Sequence, residues 1–207
     1  MLKKTKLAVA LVVALSAMGI AASSASAITA SVSPAGTQNV TSSAVTFGGS
    51  GISIICELTL RTSLLGGPIT VARGAQIGEV TEVRWANCSG GTVERVLSLN
   101  WRLTIGDTLP TVASLTTRNA TGILLIIQGA SFNLSAFGGF VNCLYRGNPG
   151  ALMALTHTAR ESTTYTGSSL VALSEIRLPF VSGSGLCPRT GTFSGTFSIA
   201  TQTITLA

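Results

Sequence analysis

Apolar and polar residues alternate with period two through much of this chain. Ile52, Ile54, Cys56, Leu58 and Leu60 interleave with Ser53, Ile55, Glu57, Thr59 and Arg61; Leu97, Leu99, Trp101, Leu103 and Ile105 interleave with Ser98, Asn100, Arg102 and Thr104. Residues two apart share one face of a strand, so both segments are predicted as half-buried β-strands. Further strands are predicted at Val40 to Phe47, Gln76 to Ala86, Gly122 to Gln128, Ser131 to Phe137, Phe140 to Tyr145, Ala151 to Thr158 and Ser169 to Leu178, with a terminal pair at Thr192 to Ile199 and Gln202 to Leu206. Turn chemistry separates them at Ser33-Pro34-Ala35-Gly36, Ser89-Gly90-Gly91, Gly138-Gly139, Gly147-Asn148-Pro149-Gly150 and Gly183-Ser184-Gly185. The run Ile123-Leu124-Leu125-Ile126-Ile127 breaks the alternation and is expected to be covered on both faces. Many short strands between frequent turns predict an all-β fold, an antiparallel β-sandwich or barrel-like sandwich.

The first 27 residues depart from this pattern. Lys3, Lys4 and Lys6, an apolar run from Leu7 to Ile20, and Ala25-Ser26-Ala27 read as a secretory signal peptide with its cleavage site. Processing is expected to leave residues 28–207 as a secreted β-domain without a membrane span. The leader holds every lysine, so the remaining chain carries ten Arg against seven acids, a formal charge of +3. Those Arg residues are scattered singly from Arg61 to Arg189. A nucleic-acid binder needs them clustered, so no nucleic-acid partner is expected.

Cys56, Cys88, Cys143 and Cys187 are an even set in a chain with an export signal, which points to two disulfides rather than a metal or redox centre. Four cysteines allow three pairings. Cys56–Cys88 with Cys143–Cys187 is preferred, because each then staples one half of the chain. An echo between Gly51-Ile52-Ser53-Ile54-Ile55-Cys56 and Gly139-Phe140-Val141-Asn142-Cys143 admits two related modules, about 28–118 and 119–207, beside a single domain.

Candidate chemistry is sparse. The acids are Glu57, Glu79, Glu82, Glu94, Asp107, Glu161 and Glu175, and general acid–base work needs two of them in one cleft. Glu79 and Glu82, three apart in a strand, are expected on opposite faces; a hairpin would instead set Glu82 opposite Glu94, although solvated residues paired with Arg84 or Arg95 are the more ordinary account. A serine hydrolase has only His157 and Asp107 to draw on, and Gly191-Thr192-Phe193-Ser194-Gly195 lacks the spacing of a nucleophile elbow. Catalytic, cofactor-binding and metal residues are therefore all expected to be none. Asn39, Asn87, Asn119 and Asn133 begin glycosylation sequons, which a Thr/Ser-rich chain also generates by chance.

Ser31-Val32-Ser33-Pro34-Ala35-Gly36-Thr37, a cysteine-bearing apolar strand, a second cysteine beside Ser89-Gly90-Gly91, and the closing Cys187-Pro188-Arg189-Thr190-Gly191-Thr192-Phe193-Ser194-Gly195 together resemble uncharacterised secreted all-β proteins of actinobacteria. They resemble more distantly the PraB-type alkane oxidation activators. Leu178-Pro179-Phe180 stands where many such proteins carry Leu-Pro-Trp. The resemblance implies an extracellular or cell-surface β-protein and transfers no catalytic residue.

The resulting expectation is a non-catalytic cell-surface or extracellular-matrix protein that binds a surface component or itself. The alternative is a secreted carrier of a small apolar ligand lined by Trp85, Trp101 and phenylalanines.

Overall fold

The computed structural model describes residues 28–49, 51–95, 101–106, 121–156, 163–172 and 177–207. These form β1 (Thr29–Ser33), β2 (Gly36–Gly49), β3 (Ile52–Leu64), β4 (Ile69–Thr70), β5 (Gln76–Ser89), β6 (Gly91–Arg95), β7 (Trp101–Ile105), β8 (Gly122–Gln128), β9 (Ala130–Ala136), β10 (Val141–Gly147), β11 (Gly150–Ala154), β12 (Thr164–Ala172), β13 (Leu178–Gly183) and β14 (Thr190–Leu206). A 3-10 turn, Phe137–Gly139, tips the β9–β10 hairpin. The leader assigned to residues 1–27 lies outside the described residues.

Eight strands close a ring. Hydrogen bonding runs β2-β3-β5-β7-β8-β11-β12-β14, and β14 pairs back to β2, every pairing antiparallel. The members follow chain order, so the ring is an up-and-down barrel of the size whose interior side chains can just fill. Its outward positions carry mostly polar side chains, for example Thr37, Asn39, Thr41, Glu57, Arg61, Thr196 and Ser198. Its inward positions are mostly apolar, with Ser42, Thr62 and Gln202 the buried polar exceptions among the described ring strands' inward series. That is the inverse of a membrane-spanning barrel, which turns its apolar side chains out to lipid. No helix among the described residues is long and apolar enough to cross a membrane.

Excursions from the ring build a second sheet. β6, β9, β10 and β13 pair in that order, and β13 joins the start of β14 at Leu178↔Gly191. Four of the barrel strands, β2, β3, β5 and β14, are 13 to 17 residues long and run on past the ring to face this sheet. The chain is therefore a barrel at one end and a sandwich at the other, which places the two predicted alternatives in one molecule. Both disulfides lie in the sandwich half: Cys56–Cys88 ties β3 to β5, and Cys143–Cys187 ties β10 to the turn preceding β14. The preferred pairing is the one formed.

β-bulges in β2 and β5 mark the change from barrel to sandwich, and a third, in β14, lies within the barrel wall. Each inserts an extra residue, so two successive side chains face outward and the strand bends. In β2 the inward series runs Val40, Ser42, Val45, Phe47, with Ser43 and Ala44 both exposed. In β5 it passes from Val80 to Val83, and Thr81 and Glu82 both turn outward. Glu79 and Glu82 consequently share the outer face, contrary to the expectation from unbroken alternation. In β14 it passes from Phe197 and Ile199 to Gln202, Ile204 and Leu206 across exposed Ala200 and Thr201. The two terminal strands expected from sequence are thus one 17-residue strand, whose change of phase is a bulge and not a turn.

An aromatic cluster sits where barrel meets sandwich. Phe47 contacts Trp85, Phe132 and Phe193 at ring-centroid distances of 5.2, 5.3 and 5.1 Å; Trp101 reaches Phe132 at 5.5 Å, and Phe193 stacks on Phe197 at 5.9 Å. Edge-on and offset aromatic pairs of this kind each add about 0.5–1.5 kcal/mol beyond area burial. The Ile123–Ile127 run, predicted to be covered on both faces, is so at its first three residues: Ile123 and Leu125 point into the barrel and the outward Leu124 has 0% exposure, whereas Ile126 and Ile127 are half-buried.

Candidate functional site

Below the aromatic cluster the barrel holds a cavity of about 100 Å³. Its wall is built from the inward residues of the ring, such as Val40, Leu60, Val80, Leu103, Ile123 and Leu125. Alternation in each strand is what puts them there, because one face of every strand must be buried against the others. Phe193 and Phe197 close the top. The floor is a small two-stranded lid: β1 pairs with the end of β14 through Ala30↔Leu206 and with β4 through Ala30↔Ile69, and Ala30, Val32, Ile69 and Val71 all line the cavity.

Trp85 and Trp101, expected to line an apolar ligand site, belong instead to the aromatic cluster above it. The lining is aliphatic, with two phenylalanines. Its volume is below the range of about 300–1,000 Å³ typical of drug-sized ligand pockets. It is closer to the engineered cavity of about 150 Å³ that takes up benzene.

Two polar side chains share this wall, Thr62 and Gln202, 3% and 2% exposed. Thr62 Oγ1 donates to the Gln38 carbonyl at 3.2 Å. Gln202 faces inward because of the bulge in β14; uninterrupted alternation from Phe197 and Ile199 would have put Thr201 there. Its Nε2 donates to the Ala200 carbonyl at 2.8 Å, and its Oε1 is buried with no hydrogen-bond partner among the described residues. Because Ala200 offers only an acceptor there, the amide nitrogen must take that side and the oxygen the other. Gln202 was not singled out from sequence, although its phase with Ile204 and Leu206 already placed it on an apolar face.

The described carboxylates lie elsewhere. Glu57 and Glu94 are exposed, and Glu79 and Glu82 stand on the outer wall. Glu82 is flanked by Arg84, whose Nε donates to Oε1, and by Arg61 at 4.0 Å, beside a shallow polar recess formed with Thr37, Asn39 and Thr59. Exposed pairs of this kind contribute at most about 1 kcal/mol. Glu82 and Glu94 do not meet across a hairpin: β5 pairs with β3, whereas β6 leaves to pair with β9, setting Glu94 opposite Asn133. Asp107, His157, Glu161 and Glu175 lie outside the described residues, as does Asn119. No group of three or more metal-ligating side chains is found among the described residues.

The sandwich half contributes one buried titratable group. Tyr145 OH donates to the Pro188 carbonyl at 3.0 Å, its ring meets Phe180, and burial pushes its pKa above the ordinary value of 10.0. At the free end of the same half, Phe137, Phe140 and Leu186 are 64%, 86% and 73% exposed. Ser184 N–H bonds to the Asn142 carbonyl and Asn142 Nδ2 to the Gly139 carbonyl, which pins the Ser184–Cys187 turn, and Leu186 with it, to the β10 side of the hairpin tip that carries Phe137 and Phe140.

Compared with protein-family models, curated proteins and solved structures, the chain matches none.

Proposed function

We propose that this is a secreted, non-catalytic protein that binds a small apolar molecule inside its barrel. The observation that carries the reading is the closed eight-stranded ring around an apolar cavity of about 100 Å³, floored by β1 and β4. Burial of apolar surface supplies the affinity at about 25 cal/mol per Å² removed from water. The described carboxylates face away from the cavity, which supports binding over turnover. The two disulfides fit an oxidising compartment.

The test is binding of benzene and toluene to the oxidised protein, read by calorimetry and by a concentration-dependent rise in melting temperature. Saturable binding by the wild type that disappears in Ala30→Leu is expected. Absence of saturable binding to a panel of such probes, by protein with native circular dichroism, overturns the reading.

A second reading, attachment to a cell-surface or matrix component or to another copy, is favoured by the exposed apolar tip of Phe137, Phe140 and Leu186. Phe137 and Phe140 flank one hairpin tip and Leu186 lies on the turn pinned to its base, and large apolar side chains exposed at one end of a molecule are candidates for an interaction surface. The double variant Phe137→Ser/Phe140→Ser should then lose cell binding or self-association. A wild-type protein that is monomeric and leaves cells unlabelled sinks this alternative.

A further inference from the structure

We infer that the barrel selects a small apolar alcohol or phenol, a ligand with one neutral hydrogen-bond donor, through the amide oxygen of Gln202. The inference rests on the binding role proposed above and names the chemical class that role serves. Gln202 is on the cavity wall, and its Oε1 is buried without a partner among the described residues. A buried acceptor left unpaired is costly, and a donor brought by a ligand removes that cost.

The arrangement is local and specific. The bulge at Ala200 and Thr201 reverses the phase of β14 and turns Gln202 inward, and bulges commonly re-aim side chains beside functional sites. Ala200, within the same bulge, then holds the amide nitrogen at 2.8 Å and so leaves the oxygen as the free end. The oxygen is shielded by its neighbours, so a donor meets it as the amide rocks about its broad terminal torsion, by an amount that bends the bond to Ala200 without giving it up. Thr62, the other polar residue on the wall, already spends its hydroxyl hydrogen on the Gln38 carbonyl.

The same wall disfavours other classes of ligand. No lining residue carries a charge, so an ammonium ion or a carboxylate would lose its hydration without compensation. A hydrocarbon fits but leaves Oε1 unpaired, and a ketone, an ester or an ether brings a second acceptor. Phenol, one heavy atom larger than the benzene held by a cavity of about 150 Å³, is the smallest aromatic probe that carries the donor; the cavity of about 100 Å³ must widen to admit it, and equally for toluene, its isostere without the donor.

Affinities of phenol and toluene are measured on the wild-type protein and on Gln202→Met, which keeps the chain length and removes the amide, with Gln202→Leu as a second variant. The ratio of phenol to toluene affinity should fall about tenfold in either variant, the equivalent of one hydrogen bond to a buried acceptor. In the wild type, the Gln202 side-chain NH2 resonances should shift on adding phenol and stay in place with toluene. An unchanged ratio with toluene still bound, or identical resonance shifts for both probes, overturns the assignment to Gln202 and leaves the apolar cavity standing. If neither probe binds the wild type, the binding reading itself falls.

Discussion

Ala30→Leu tests the cavity through the sign of a stability change. Ala30 lies in β1, is 8% exposed and lines the cavity floor. Leucine adds three carbons, each stabilising by about 0.8 kcal/mol when fully buried, so the gross gain is about 2.4 kcal/mol. Ordering the longer side chain costs about 0.5–1 kcal/mol, which leaves a net gain of about 1.5 kcal/mol. Urea unfolding followed by tryptophan fluorescence and circular dichroism should give a higher midpoint with an unchanged slope, and the melting temperature should rise by about 3–6 °C. Were the interior already filled, the same substitution would overpack it and cost about 1–3 kcal/mol. A lowered midpoint therefore refutes the cavity and the ligand reading built on it.

Removing Cys143–Cys187 by a double alanine substitution should destabilise the oxidised protein by about 4 kcal/mol, and removing Cys56–Cys88 by slightly less, because the loops they close span separations of 44 and 32 residues; losses below about 1 kcal/mol in denaturant titrations would contradict the loop-entropy account. The native state holds the Tyr145 proton above pH 10 while the unfolded chain releases it near its ordinary value. The Tyr145 contribution is thus fully present below about pH 10 and is lost as pH rises through the folded value. Tyr145→Phe should cost about 1 kcal/mol near neutrality through the bond to Pro188, and the gap to wild type should narrow in unfolding titrations above pH 10; a gap independent of pH argues against it. Gly183, at φ 142°, has the Asn142 carbonyl 2.0 Å from where a Cβ would stand, so Gly183→Ala should force apart β10 and β13 and lower the melting temperature, and an unchanged melting curve would show that this approach relaxes freely.

Strands with unbroken alternation were legible from sequence. β3 runs Ile54, Cys56, Leu58, Leu60, Thr62, Leu64 inward without a fault, and the prediction from Ile52 to Arg61 falls inside it. β14 was read as two strands because a bulge and a turn leave the same trace in the pattern, a reversal of phase. The disulfide pairing was open to an argument from chain halves, since each bond closes within one. Ring closure was not legible: it depends on β12 and β2 meeting β14 across the chain, and alternation carries no record of which strand lies beside which. Gln202 was hidden for a related reason. A lone glutamine in phase with Ile204 and Leu206 reads as a strand start until the cavity beside it is seen.

Ring closure also sets an order of events. Thr192 Oγ1 donates to the Gly48 carbonyl across 144 positions of the chain, at the seam where the first barrel strand meets the last. A chain emerging from its N-terminus can pair β2 with β3 and β3 with β5 early, yet β2 keeps one open edge until β14 arrives. That edge is a template for any extended segment in the interval, and so distant a closure places the barrel among slow, millisecond-to-second folders. The mid-strand bulges that shape the cavity twist the waiting edge of β2 and make it a poorer partner for strangers.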